Sequence, residues 1–181
     1  MRYFLDTEFS ERGHEHPIEL ISIGIVAEDE REFYAVASDG WSEEHCNDWV
    51  KANVLPQLAD PRWRRICSTG SAPRFSRTEI VEHALKFIGD FGEVGDKPEF
   101  WGYFCDYDWV VFCQLFGTMM NLPKGWPMYC NDVKQLCVAL GDPRLPEQTA
   151  CEHNALTDAR HIRAMYKFLE FTAAQRLVSF R

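Results

Sequence analysis

Two acidic residues, Asp6 and Glu8, stand where the first apolar run of the chain ends, and together they could hold a metal ion. In a strand, residues two apart point to the same face, so these carboxylates would lie side by side. Like charges at that distance are unfavourable unless a cation neutralises them, and Mg²⁺ and Mn²⁺ prefer oxygen ligands of this kind. The alternative is a solvated strand end that binds nothing.

A histidine and an aspartate, His153 and Asp158, lie near the start of the last predicted helix. If His153 sits on the preceding loop, it can swing over the helix start while Asp158 points inward. A histidine beside metal-holding carboxylates is a natural general base for the attacking water. The alternative makes His153 a cap residue and Asp158 a solvent-facing acid.

A further acid, Asp108, lies at the junction between a predicted strand and the helix that follows it. A carboxylate there would be near the positive end of the helix and near the sheet edge where open α/β proteins place their active sites. Asp106 precedes it by two residues, and we expect Asp106 to cap the helix because Asp is a preferred N-cap.

The elements that must position these side chains alternate between strand and helix after an opening group of strands. Hydrophobic patterning predicts strands over residues 2–6, 18–27, 31–37, 100–104 and 127–130. Start and stop signals predict helices over residues 41–58 with Ser42 as cap, 77–91 after a capping box, 107–116, 131–140 with Asn131 as cap, and 155–171. We therefore expect an α/β fold with a mixed sheet flanked by helices.

Composition limits the class of protein. The 181 residues are 46% hydrophobic and carry 28 acidic against 19 basic residues, a net charge of −9. That core content excludes wholesale disorder, and the acidic balance argues against a protein that coats nucleic acid non-specifically. No apolar stretch approaches the ~20 residues of a membrane helix, and no signal-peptide core is present. The seven cysteines include no Cys-x-x-Cys pair, so we expect reduced thiols, no structural zinc, and a soluble cytoplasmic chain forming a single domain over residues 1–181.

Taken together, the acidic and histidine motifs resemble those of DEDDh-type 3′→5′ exonucleases of the ribonuclease H-like superfamily. Asp6-x-Glu8 resembles the first motif of that group and Asp108 the second. The third motif matches His153, Ala155, Leu156, Asp158 and Ala159.

A narrower resemblance is to the bacterial polyadenylate-specific exoribonucleases related to ribonuclease T and oligoribonuclease. It is carried by residues 2–9, 18–24, 49–50, 54–56, 107–108, 113–115 and 117. The chain departs from the wider superfamily at Phe104, where many members carry an asparagine four residues before the second-motif aspartate.

The resemblance implies a fold, a cofactor, a substrate and a set of site residues. It implies a ribonuclease H-like sheet whose first three strands are antiparallel and whose later strands are parallel. Two Mg²⁺ or Mn²⁺ ions would be held by Asp6, Glu8, Asp108 and Asp158, with His153 as general base. The substrate would be the 3′ end of single-stranded RNA, released as nucleoside 5′-monophosphates, with adenylate preference left open. Related exonucleases are often homodimers, so a homodimer is an open expectation.

Residues outside the motifs are candidates for contacts to the substrate. Arg62 and Arg65 lie in a segment from residue 61 to 77 that is rich in arginine and has no acid, typical of a phosphate path. Phe9 and Trp109 are candidates to stack on or contact a base, and Glu19 to accept a hydrogen bond from an adenine amine. Core packing is the alternative for both aromatic residues, a solvated loop for the arginines and a plain polar strand start for Glu19. The tryptophans at positions 41, 49, 101 and 126 are most simply packing residues.

Two other functions remain open on the sequence alone. One is a 3′→5′ DNA exonuclease with the same site, because no motif here reads the 2′-hydroxyl group. The other is an inactive nucleic-acid-binding module of the same fold, although binding alone would not require all four carboxylates and the histidine.

Overall fold

The computed structural model describes residues 1–58, 72–89, 97–149 and 152–179, and its centre is a six-stranded mixed sheet. The strands are β1 (Arg2–Ser10), β2 (Glu19–Ala27), β3 (Glu32–Ala37), β4 (Arg74–Phe75), β5 (Glu99–Gly102) and β6 (Asn131–Asp132). Their order across the sheet is β4-β3-β2-β1-β5-β6. The pairs β1–β2 and β2–β3 are antiparallel, whereas β3–β4, β1–β5 and β5–β6 are parallel. The predicted α/β fold with antiparallel strands first and parallel strands later is confirmed.

Helices cover both faces of this sheet. They are α1 (Asp48–Asn53), α2 (Leu55–Leu58), α3 (Arg77–Ile88), α4 (Asp106–Leu115), α5 (Val133–Ala139) and α6 (Ala155–Ser179), with short 3-10 turns at Glu43–His45 and Met119–Asn121. All nine residues of β2 are buried, as expected for a strand packed on both sides. Helices α3 and α4 share one core cluster with Ile23 and Ile25, while α1 and α6 pack on the opposite face with Ile21 and Val26.

At Gly24 in β2, the start of α6 lies very close to the sheet. A Cβ atom added at Gly24 would lie 2.3 Å from the carbonyl oxygen of Ala155, the first residue of α6. Gly24 is also the antiparallel partner of Asp6 in β1. The missing side chain therefore lets the start of α6 lie directly over the part of β1 that carries the first acidic motif.

The predicted helix over residues 41–58 is wrong in its extent. Trp41 donates its Nε1 hydrogen to the carbonyl oxygen of Ala37, which holds it beside the end of β3. The N-cap of α1 is Asn47, whose side chain accepts from Val50 N at 2.8 Å, and Ser42 makes no side-chain cap bond. A new helix, α2, begins at Leu55, because Pro56 has no N–H to continue the first and fits only the opening turn.

The predicted strand over residues 127–130 is also wrong, because the pairing with β5 falls on Asn131 and Asp132 instead. Asn131 donates its side-chain amide to the carbonyl oxygen of Phe100, so it serves the sheet rather than the helix. Asp132 is the residue that caps α5, accepting from Lys134 N and Gln135 N. The predicted capping box at Ser76 and Glu79 is confirmed.

Two expectations from composition can be compared with the described residues. Five cysteines there are free thiols, namely Cys46, Cys105, Cys113, Cys130 and Cys137. Cys67 and Cys151 lie outside the described residues. Among the helices described, none has both the length and the apolar character that crossing a membrane requires.

Candidate active site

Three predicted ligands come together at the meeting point of β1 and α6. Asp6 and Glu8 project from the same face of β1, as their spacing predicts, and Asp158 comes from the first turn of α6. One carboxylate oxygen of each residue lies within 4.8 Å of the other two. Residues that are about 150 positions apart in the chain thus form one acidic cluster.

The electrostatics of this cluster are those of carboxylates that share a confined space. Burial and the neighbouring charges of Asp108, Glu8 and Asp158 raise the pKa of Asp6 well above its ordinary value. Burial, with the charges of Asp158 and Asp108, raises the pKa of Glu8 to about 8. A divalent cation at the centre would reverse both effects, because it favours the ionised form of every carboxylate around it. The residues present therefore fit a site for a hard divalent metal ion.

Asp108 lies beside the three clustered carboxylates and is linked to β1 by hydrogen bonds. Its Oδ1 atom accepts from Thr7 N at 2.8 Å and from Thr7 Oγ1 at 2.6 Å. Thr7 lies between Asp6 and Glu8, so these hydrogen bonds hold Asp108 of the second motif next to the first motif. Burial raises the pKa of Asp108 to about 6, against the lowering effect of the Thr7 hydrogen bonds.

The expected capping role of Asp106 is wrong by one position. Helix α4 begins at Asp106 itself, so Cys105 is the N-cap, and it makes no side-chain cap bond. The cause is the preceding turn, where Phe104 has a positive φ of 53° and the chain enters the helix one residue early. Asp106 is exposed and Asp108 is buried, which agrees with a site role for Asp108.

His153 lies on the loop before α6, one of the two arrangements that the sequence left open. Its backbone has a φ of 66°, and its N–H donates to Asp158 Oδ2 at 2.9 Å. The helix is capped instead by Asn154, which accepts from Thr157 N at 3.2 Å. Gln148 donates its side-chain amide to the other oxygen of Asp158. These bonds orient Asp158 towards the loop that carries the histidine.

An open cavity of about 320 Å³ joins the acidic cluster to His153. Asp6 and Asp158 line it on one side, and His153, Tyr103, His161 and Met165 contribute to the rest of the wall. The cavity is within the size range of small-ligand sites. A reacting group bound there would meet both the carboxylates and the histidine.

Trp49 was assigned to packing from the sequence, and the structure places it at the site instead. It is 52% exposed, and its ring contacts that of His153 edge-on, with centroids 4.8 Å apart and planes at 78°. The apolar face of this region is formed by Val50 and Val54, which are buried. The position of Trp49 off that face was the signal that could have identified it.

Two of the predicted substrate contacts are not supported by the structure. Trp109 is buried in the core, with its ring centroid 5.1 Å from that of Phe100. Its Nε1 donates to the carbonyl oxygen of Met128, so it offers no surface to a base. Glu19 is also buried, and its oxygens contact Arg12 Nη2 at 2.6 Å and His45 Nδ1 at 3.0 Å. It is therefore engaged within the chain rather than open to an adenine amine.

The other candidate contacts have different outcomes. Phe9 is half-buried and stacks on the exposed ring of Tyr107, with centroids 5.8 Å apart and planes at 14°. Both the packing and the base-contacting interpretations of Phe9 therefore stay open. Arg62 and Arg65 lie outside the described residues.

Comparison with known proteins agrees with this site. A sequence profile for the 3′-5′ exoribonuclease Rv2179c-like domain matches residues 1–169. The chain is 42% identical over 163 residues to the 3′-5′ exoribonuclease Rv2179c of Mycobacterium tuberculosis strain H37Rv, covering 88% of each chain. The same values hold for the 3′-5′ exoribonuclease MT2234.1 of strain CDC 1551. A match of this extent, over the part of the chain that contains all the clustered acids, shows that the protein belongs to the Rv2179c-like family of 3′-5′ exoribonuclease domains.

Proposed function

We propose that the protein is a metal-dependent 3′→5′ exoribonuclease that removes nucleoside 5′-monophosphates from single-stranded RNA. The observation that carries this proposal is the acidic cluster of Asp6, Glu8 and Asp158, of which Asp6 and Asp158 line one cavity with His153. Family membership supports the exoribonuclease activity, and the resemblance to DEDDh exonucleases supports the metal-dependent chemistry.

Each residue of the site has a role that follows from its position. Asp6, Glu8 and Asp158 would hold Mg²⁺ or Mn²⁺, and Asp108, which accepts hydrogen bonds from Thr7, would complete the set. When bound, the ions would stabilise the charge that develops on the attacking and leaving oxygens of the phosphodiester.

The proton chemistry belongs to His153. A ring nitrogen of His153 would accept the proton of the attacking water, and the imidazole would return it to solvent after each cycle. Asp158 receives the backbone N–H of this residue, which keeps the histidine next to the ligand set. Trp49 contacts the imidazole and limits the orientations open to it.

This site recognises a phosphodiester end rather than a base, so preference for adenylate or for RNA must come from other contacts. Adenylate preference is proposed from the resemblance alone, because Glu19 is engaged with Arg12 and His45. The arginine-rich segment that includes Arg62 and Arg65 is proposed as a phosphate path on the strength of its composition. Removing either arginine should lower the salt dependence of RNA binding by about one phosphate contact.

The deciding experiment is digestion of matched substrates with the products identified. Oligoadenylate, mixed-sequence RNA and DNA of that sequence, each labelled at one end, are incubated with Mg²⁺, Mn²⁺ or excess chelator. We expect stepwise shortening of RNA from the 3′ end, release of 5′-monophosphates, and no hydrolysis with chelator. Asp158→Asn is the inactive control.

Three outcomes would contradict parts of the proposal. Full activity in excess chelator would exclude the metal mechanism, and internal cleavage would exclude an exonuclease. Faster digestion of DNA than of RNA would favour the DNA exonuclease. Binding of RNA without hydrolysis under any metal would favour the inactive binding module.

We also propose that the protein is cytoplasmic. Its oligomeric state requires a separate experiment. The free thiols among the described cysteines support a reducing compartment. Light scattering during size-exclusion chromatography would distinguish a monomer from the homodimer that the resemblance suggests.

A further inference from the structure

Phe104 combines an exposed aromatic ring with an unfavourable backbone conformation. Its side chain is 63% exposed, and its φ of 53° lies in the left-handed region. Glycine and asparagine adopt this conformation readily, whereas a phenylalanine is an outlier there. Burial does not compensate, because most of the ring faces solvent.

The turn that imposes this conformation is tightly built. A Cβ atom on Gly102 would lie 2.3 Å from the Cβ of Cys105, so β5 must pass into α4 at close quarters. The N–H of Cys105 donates to Asp132 Oδ2 at 3.2 Å, which fixes the turn against β6. The backbone of this turn therefore requires a left-handed residue at position 104, but it does not require an aromatic side chain there. Strained residues of this kind are concentrated at functional sites.

The ring of Phe104 contacts a residue that lines the acidic cavity. Its centroid lies 4.5 Å from that of Tyr103, with the planes at 59°. Tyr103 in turn lines the cavity together with Asp6, His153 and Asp158. Two contacting rings thus connect the cavity wall at Tyr103 to the exposed side chain of Phe104.

We propose that Phe104, supported by Tyr103, is a stacking surface for a base of the RNA strand whose 3′ end occupies the acidic cavity. This inference rests on the proposed function. Stacking on an aromatic ring suits such a substrate because every base has a π-face, so affinity is gained without base selection. It also suits this acidic protein, since a ring attracts a nucleotide without requiring a cation.

The substitution that tests the proposal is Phe104→Asn, because asparagine tolerates the left-handed backbone better than phenylalanine does. We expect the melting temperature to stay the same or rise, while the KM for a ten-nucleotide RNA rises by about 5- to 150-fold, the value of one stacked base. Phe104→Trp should keep the affinity for RNA. A drop in melting temperature together with affinity would instead assign Phe104 a structural role and overturn the proposal.

A matched control is Phe171→Asn. Phe171 is 64% exposed and lies on α6, thirteen residues beyond Asp158 or about 20 Å along the helix axis. This variant should leave the KM unchanged.

RNA with a single abasic position gives a second measurement that separates the two proposals. When the abasic position coincides with the stacked base, the wild type should lose affinity and Phe104→Asn should not lose more. If the wild type degrades RNA and Phe104→Asn has an unchanged KM, the stacking proposal is wrong while the proposed function stands. If the wild type degrades no RNA, the proposed function is wrong, and equal RNA binding by the wild type and Phe104→Asn would then contradict the stacking proposal as well.

Discussion

The carboxyl group of Glu8 links the ionisation of one residue to the stability of the fold and to metal binding. Its environment raises the pKa to about 8 from an ordinary value of 4.5, chiefly through burial. The folded protein therefore holds this proton more tightly than the unfolded chain does. Stability linked to Glu8 is fully present below pH 4.5 and is lost as the pH rises through about 8. A bound divalent ion removes the penalty by replacing the proton.

The first prediction follows from this linkage. In excess chelator, replacing Glu8 with Gln should raise the melting temperature relative to the wild type, and the difference should grow as the pH rises from 4.5 to about 8. Adding Mg²⁺ should reverse the order at the upper end of that range, because only the wild type keeps the full ligand set. Thermal unfolding followed by tryptophan fluorescence measures both effects. A pH-independent difference would contradict the assigned cause.

A second prediction concerns His153. Its replacement by Ala should lower turnover by roughly 10²–10⁴-fold, the usual contribution of a general base. Affinity for Mg²⁺ should be unchanged, because His153 is not proposed as a ligand. His161 lines the same cavity from α6, and His161→Ala should keep most of the turnover, so it serves as the matched control. Equal loss in both variants would mean that the base has been misassigned.

The two acids at the start of α4 support a third prediction. Asp106 is exposed and contributes only through the helix dipole, so Asp106→Ala should cost about 0.3–1 kcal/mol of stability and leave turnover nearly intact. Asp108→Asn should fold and lose nearly all hydrolysis. Kinetics with urea unfolding of both variants makes the comparison. The reverse pattern would place the second motif on Asp106.

Among the elements, the short strand β6 links two of the helices around the site. Strand β6 has only two residues, yet Asp132 caps α5 and accepts the N–H of Cys105, where α4 begins. One carboxylate thereby joins two helix starts, and one of those helices carries Asp108.

This arrangement predicts the effect of changing Asp132. Its replacement by Ala should lower the free energy of unfolding by about 1–2 kcal/mol or more, since it leaves two helix starts without an acceptor. Asp132→Asn should recover only part of this loss, because its single side-chain oxygen can still cap α5 while its amide nitrogen cannot accept from Cys105 N. Urea denaturation of the two variants gives both values. Equal losses would contradict the capping role, because they would show that an oxygen placed to cap α5 restores no stability.

Elements whose determinants are local could be predicted from the sequence. The capping box at Ser76 and the continuous apolar run of β2 carry their own signals within a few residues. The break between α1 and α2 and the pairing of β6 depend on partners far away, such as Ala37 for Trp41 and Phe100 for Asn131. Local patterning cannot register such contacts, and both predictions were wrong there.

At the scale of the whole molecule, the sequence predicted those parts of the candidate site that depend only on residue types and their spacing. Asp6 and Glu8 follow from strand periodicity, but their meeting with Asp158 depends on the sheet register and the docking of α6. The resemblance to known exonucleases supplied that link. It included Trp49 but assigned it no role, and the place of Trp49 beside His153 depends on tertiary packing. It also did not indicate that Trp109 is buried in the core, where its ring packs against that of Phe100.

The space left by Gly24 predicts that substitutions at this position are poorly tolerated. Gly24 carries no functional group, but it pairs with Asp6 and leaves room for Ala155 at the start of the helix that bears Asp158. Any side chain there must push the start of α6 away from the sheet and so widen the gap between Asp6 and Asp158, two of the proposed metal ligands. In a genetic screen for lost activity, position 24 should therefore be as intolerant as the carboxylates, and its variants should be rescued by raised Mg²⁺ or Mn²⁺ where those of Asp6 are not. Selection for activity would then retain the absence of a side chain at position 24 as strictly as it retains a catalytic group.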